Sequence, residues 1–186
     1  MKEKTVLSPE KLFIILYGSK NQGKSTTLRK LVILLGGGSP TLENDLKSFL
    51  LVKKRYKDAH FIIEYENHII HISTGGDSWS VCRGNTQFFE GNYNGNQEIY
   101  LVTGGKIKMM SKTDKQHYRK IQPEVVVSAC RPDADSYGAI KALHYYSEHH
   151  LMDYVEQVWI KRDKIDEPDS KKIANILKSR IDDFIK

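Results

Sequence analysis

Leu12-Phe13-Ile14-Ile15-Leu16-Tyr17-Gly18-Ser19-Lys20-Asn21-Gln22-Gly23-Lys24-Ser25 runs from an unbroken apolar segment into a glycine, four free residues, Gly-Lys and Ser. A short continuous apolar run of this kind predicts a strand covered on both faces, as in a parallel sheet. Downstream, Leu28, Leu31, Val32 and Leu35 recur at i, i+3, i+4 and i+7, and Gly36-Gly37-Gly38 then ends the helix they imply. The segment therefore predicts strand, tight loop, helix.

The loop residues suit an anion. A polyphosphate needs backbone N–H groups that approach its oxygens closely, and glycine allows both the unusual dihedrals and the approach. Gly18 and Gly23 supply that freedom, while Ser19, Lys20, Asn21 and Gln22 form the cradle between them. Lys24 would put a point charge on the β and γ phosphates, and the Ser25 hydroxyl would join the shell of a hydrated Mg²⁺. Thr26 follows in the first helical turn, whose N-terminus adds a partial positive charge.

Through residues 12 to 35 the chain resembles the P-loop NTPase superfamily, with Gly18 to Ser25 as its phosphate-binding loop. The resemblance implies a three-layer α/β fold, a bound nucleoside triphosphate with Mg²⁺, and hydrolysis or transfer of the γ-phosphate. Gly-Lys-Ser-Thr-Thr-Leu also looks like the start of transporter-type ATPases, but no Leu-Ser-Gly-Gly-Gln signature follows, so that family is rejected.

A chain of 186 residues fits one domain, here read as residues 1–186. With 39% apolar and 28% charged residues, it reads as a soluble globular protein. There is no run long enough to span a bilayer, and Met1-Lys2-Glu3-Lys4 leads into no signal-peptide core, so a cytoplasmic location without membrane attachment is expected. Cys82 and Cys130 form neither a disulfide framework nor a zinc pattern. The net charge of +6 is compatible with a polyanionic partner, and equally with a nucleotide site alone.

After the glycines, Ser39-Pro40-Thr41 reads as a helix start, and Leu42, Leu46, Phe49 and Leu50 carry that helix to about Lys57. Lys53, Lys54, Arg55 and Lys57 then read as cations complementing the helix C-terminus, in preference to a nucleic-acid patch. Phe61–Tyr65 and His68–Ser73 flank Glu66-Asn67 and predict a hairpin at the sheet edge. Its second strand leads to Asp77. P-loop enzymes use an acid at the end of a neighbouring strand to hold Mg²⁺ and orient the attacking oxygen. Asp77 is the best candidate, although the usual spacing would put the acid at Ser73 or Thr74; capping of the next helix, read over residues 78–89, competes for the same side chain.

Glu98–Val102 and Lys106–Met110 bracket Thr103-Gly104-Gly105 as a second hairpin or a strand and loop. The stretch 106–120 is the most basic of the chain, read as a lid, a surface for a polyanion or protein partner, or a solvated loop. Ser111-Lys112-Thr113-Asp114 loosely resembles the guanine-reading Asn-Lys-x-Asp, but Ser replaces the Asn that contacts the base. Val125–Ala129 predicts another buried strand, and Arg131, just beyond its carboxyl end, falls on the rim where ligands bind in open α/β sheets. It could stabilise phosphoryl charge or pair with Asp133 or Asp135. A helix over 136–147, a last strand over 154–160 and a helix capped by Asp169 or Ser170 complete the chain.

The expected fold is thus α/β and three-layered, a mainly parallel sheet with helices on both faces and an antiparallel hairpin added. The expected function is binding of ATP, or GTP, with Mg²⁺ and hydrolysis of the γ-phosphate. Lys24, Asp77 and Arg131 would be the catalytic residues, residues 18–26 the nucleotide contacts, and Ser25 and Asp77 the metal contacts. The alternatives are a nucleotide-kinase-like phosphotransferase and a GTPase-like switch acting through a protein or nucleic-acid partner.

Overall fold

The computed structural model describes residues 11–18, 23–75, 98–130, 151–156 and 167–186. The apolar run of the opening stretch is β1 (Leu12–Tyr17), and the helix after the loop is α1 (Lys24–Leu35). There follow α2 (Pro40–Leu50), β2 (Leu51–Val52), β3 (Arg55–Tyr56), β4 (His60–Tyr65) and β5 (His68–Ser73). Then come β6 (Ile99–Thr103), β7 (Lys106–Met109), α3 (Lys112–Lys120), β8 (Val125–Cys130), β9 (Leu151–Glu156) and α4 (Glu167–Ile185).

Seven of these strands form one sheet in the order β7-β6-β4-β5-β8-β1-β9. β1 pairs in parallel with β8 and β9, β5 with β8, and β4 with β6, while β4–β5 and β6–β7 are antiparallel. The sheet is mixed and mostly parallel, and the architecture is α/β.

Side-chain alternation sets the layers. Leu12, Ile14 and Leu16 of β1 join Val125 and Val127 of β8 and Ile70 and Ile72 of β5 in one core. α1 covers that face with Leu28, Leu31, Val32 and Leu35, α2 with Leu42, Leu46 and Leu50, and α4 with Ile173, Leu177 and Ile181. Phe13 and Ile15 point the other way and are also fully buried. On that second face α3 packs Tyr118 against Ile62, Ile99, Leu101 and Met110. Helices therefore lie on both sides of the sheet, and β1 reads as apolar throughout because neither of its faces meets water.

Several local expectations hold. The Ser39 hydroxyl accepts from the Leu42 N–H at 3.1 Å with Pro40 at the helix start. Glu66 and Asn67, with φ of 48° and 64°, make the two-residue turn of the β4–β5 hairpin. Ser111 and Asp114 form a reciprocal capping box on α3, so this acid closes a helix end.

Others are corrected. α2 stops at Leu50, not near Lys57, because Lys53 and Lys54 adopt φ of 46° and 64° and turn the chain into the small β2–β3 hairpin. The β4–β5 pair is interior, since β6 pairs with β4 and β7 takes the edge. β9 occupies 151–156 where a strand over 154–160 was expected, and α4 begins at Glu167, ahead of the expected caps. The helices expected over 78–89 and 136–147 lie outside the described residues.

Candidate functional site

β1 delivers the chain to Gly18, which is buried at the carboxyl end of the sheet. The Gly18 N–H donates to the Cys130 carbonyl at 3.2 Å, tying the loop's first residue to the end of β8. The Gly18 carbonyl in turn accepts from the Lys24 ammonium at 2.6 Å. Lys24 is only 6% exposed, so its charge is held at the loop and not extended into water. Ser19, Lys20, Asn21 and Gln22 lie outside the described residues.

The loop closes at Gly23, whose φ of 85° and ψ of 15° place it in the left-handed region. A side chain there would be strained, which is the physical reason for glycine at this position. The Gly23 carbonyl starts the helix by accepting from the Thr27 N–H at 2.9 Å. No side chain caps α1 and no acid occupies its first turn. Among the described residues, no carboxylate neutralises its first N–H groups or the positive end of its dipole.

Ser25 and Thr26 take different directions. The Ser25 hydroxyl donates to the Thr74 carbonyl, just past the end of β5, at 3.1 Å. Thr74 is fixed there by Ala59: its hydroxyl accepts from the Ala59 N–H at 2.9 Å, and its own N–H donates to the Ala59 carbonyl at 3.1 Å. The Thr26 hydroxyl accepts from the Arg29 guanidinium at 3.2 Å, and that guanidinium lies 3.9 Å above the Tyr56 ring centre. Burial lowers the Arg29 pKa, and the nearby Tyr56 and Asp58 raise it in part; an arginine so placed stays cationic.

Thr74, Arg29 and Tyr56 are site neighbours that the sequence did not single out. Thr74 carried a signal, as one of the two positions where an acid is ordinarily found. The Arg29–Tyr56 contact carried none, because Tyr56 was read as part of a helix.

Asp77 and Arg131 lie outside the described residues, but the chain that leads to each is visible. Asp77 is three residues beyond Thr74, and three residues span at most about 10 Å. Arg131 follows Cys130, whose carbonyl holds Gly18.

The basic stretch 106–120 is elsewhere. It forms edge strand β7 and α3, and β7 is five strands from β1 in the sheet, roughly 24 Å at the usual spacing. Its charges are partly matched: Lys108 pairs with Asp114 at 3.2 Å, and His117, Arg119 and Lys120 sit in the last turn of α3, where cations suit the dipole. α3 lies nearer, on the second face over β4 and β6.

On the second face of the sheet, close to this rim, His60 and His71 stack with ring centres 5.4 Å apart, Nδ1 of one 3.2 Å from Nε2 of the other. Burial lowers both pKa values, His60 to about 4 and His71 well below its ordinary value, the latter also through proximity to His60. Two neutral imidazoles can share one hydrogen bond here; two cations cannot.

Comparison with protein-family models, with curated proteins and with solved structures finds no match. The geometry of the site is thus the ground for a functional reading. Gly23 in the left-handed region, an uncapped helix start without acids, and a lysine and a hydroxyl at the loop's exit form a donor set that fits a phosphate chain and a hard cation.

Proposed function

We propose that residues 18–26 bind a nucleoside triphosphate, ATP in the first instance and GTP as the alternative, together with Mg²⁺, in a P-loop NTPase-like three-layer fold. The observation that carries this reading is the pairing of Gly23 at φ 85° with the buried Lys24 at the bare start of α1. Gly23 lets the backbone turn its N–H groups inward. Lys24 exchanges the Gly18 carbonyl for phosphate oxygens, and the α1 N–H groups donate to the remaining ones. Ser25 keeps acceptor lone pairs for a cation while it donates to Thr74. Mg²⁺, when bound there, supplies charge neutralisation on the β and γ phosphates.

Hydrolysis of the γ-phosphate is the proposed reaction, in a cytoplasmic protein. Asp77, on the chain leaving Thr74, would orient the attacking water, and Arg131, next to Cys130, would stabilise the charge that develops. A second reading, a slowly hydrolysing nucleotide switch, is favoured by one observation: the strand end that reaches Ser25 presents the hydroxyl residues Ser73 and Thr74 in place of an acid.

Calorimetric titration with ATP and GTP in the presence of Mg²⁺ tests binding, with Lys24→Ala expected to abolish it. Phosphate release, with and without nucleoside monophosphates, separates hydrolysis from transfer. Asp77→Asn and Arg131→Ala should each slow release by about a hundredfold, the scale of a lost charge stabiliser. Absence of nucleotide binding in folded protein overturns the proposal.

A further inference from the structure

Lys53, Lys54 and Arg55 have no helix terminus to complement. α2 ends at Leu50, and the three cations occupy the tip and return strand of the β2–β3 hairpin, in which Val52 pairs with Arg55 and Leu51 with Tyr56. All three are exposed, and none meets a carboxylate among the described residues. Leu51 and Val52 beside them are 43% and 54% exposed, two of the most exposed large apolar side chains described. Lys53 and Lys54 fill both left-handed positions of the turn, where Asn-Gly is the favoured pair. Two strained lysines in place of unstrained turn residues point to a use for their charge.

The hairpin is also well placed. Its base is docked by Tyr56 beneath Arg29, which holds Thr26, and the chain continues through Lys57, bonded to the Leu50 carbonyl, to Ala59, bonded to Thr74. It therefore stands at the carboxyl rim of the sheet near Gly23–Thr26, while α3 packs on the second face over β4 and β6.

We infer that the β2–β3 hairpin is a docking surface for nucleic acid, gripped by its phosphate backbone. Three successive cations, unpaired among the described residues, match a polymer carrying one charge every few ångströms, and a two-stranded ribbon is narrow enough to follow a groove. Leu51 and Val52 give the same ribbon an apolar flank for sugars and bases. The chain's net charge of +6 favours the encounter. This docking does not depend on nucleotide binding at residues 18–26.

The test is fluorescence anisotropy of labelled single-stranded and duplex oligonucleotides against the full chain, from about 50 to 200 mM salt. The wild type should bind with a steep salt dependence. The triple variant K53N/K54G/R55Q, which installs the residues the turn prefers, should keep or raise its thermal unfolding temperature. It should lose at least tenfold in affinity and flatten the log–log salt slope by roughly 2 to 3, about one unit per cation. Arg55→Gln alone, outside the left-handed pair, should move both readouts in the same direction. K112Q/K115Q on α3 should bind as the wild type does. No wild-type binding at low salt, unchanged binding by the hairpin variants, or a loss that falls on K112Q/K115Q instead would each overturn the inference.

Discussion

The hydroxyl of Ser25 donates to the carbonyl of Thr74 at 3.1 Å, joining the first turn of α1 to the end of β5 although β8 lies between β1 and β5 in the sheet. The residue proposed to meet Mg²⁺ is thereby in direct contact with the segment that leads to Asp77. Because Thr74 is bonded on its other side to Ala59, the contact is held from both directions.

Thr74→Val removes the acceptor for the Ala59 N–H and keeps the side-chain volume. A buried donor left unsatisfied costs about 1–3 kcal/mol, which lowers the unfolding temperature by roughly 2–12 °C in a chain of this size. Calorimetry reads that shift. Since Thr74 also positions its carbonyl for Ser25, Mg²⁺-dependent nucleotide affinity should fall in the same variant, whereas Ser48→Ala on the exposed face of α2 should change neither.

Two glycines at the ends of α1 should fail for different reasons. Gly23→Ala puts a β-carbon at φ 85° and should cost roughly 1–2 kcal/mol through backbone strain. Gly36 has an ordinary φ of −79°, but a β-carbon there would fall on Leu42 Cδ2 and 2.9 Å from Val102 Cγ1. Gly36→Ala should cost about 1–3 kcal/mol by overpacking. Urea unfolding measures both, and Leu42→Ala combined with Gly36→Ala should recover part of the steric penalty and none of the strain at Gly23. Nucleotide affinity should drop with Gly23→Ala alone.

The pH dependence of stability should carry the signature of His60 and His71. Their folded pKa values lie below the unfolded 6.5, so the unfolded chain binds more protons as the pH falls beneath 6.5. Their contribution to stability is complete above 6.5. It is lost toward pH 4, where His60 by itself amounts to about 3 kcal/mol. Glu64 and Glu98 act at lower pH. The Tyr118 and Thr103 hydroxyls lower the Glu64 pKa, and Lys57 and Tyr100 that of Glu98, and the stability these provide is lost as pH falls through their own values. Urea titrations between pH 7.5 and pH 5 should therefore steepen on the acid side in the wild type and flatten in H60N/H71N. Equal slopes would show that the pair does not titrate as the structure implies.

Short-range signals were legible in the chain. The apolar run 12–17, the 3.6-residue spacing of α1 and the two hairpins at 60–73 and 99–109 follow from neighbours within a few positions, and each is present. Asp77 and Arg131 were legible as residue types after strands, and the structure describes the strands that lead to them. The end of α2 was not legible: Leu51 to Lys57 contains no glycine or proline, and two lysines in left-handed conformations are an outcome that local preference argues against. The same misreading concealed Tyr56 as the partner of Arg29 and gave Lys53–Arg55 a helix end to complement.

The sequence by itself determined the strand, the loop with its Gly23-Lys24-Ser25 exit, and the helix behind it, because these depend on periodicity and on the dihedral freedom of glycine. Only the tertiary structure decided what stands around that loop. Strand order brings Thr74 to Ser25 and the Cys130 carbonyl to Gly18, and it sends β7 to the far edge while leaving the Lys53–Arg55 hairpin near the loop. Contacts between residues 49 or 112 positions apart are fixed by how the sheet is paired. Sheet pairing is a property of the whole packed core, not of any local stretch.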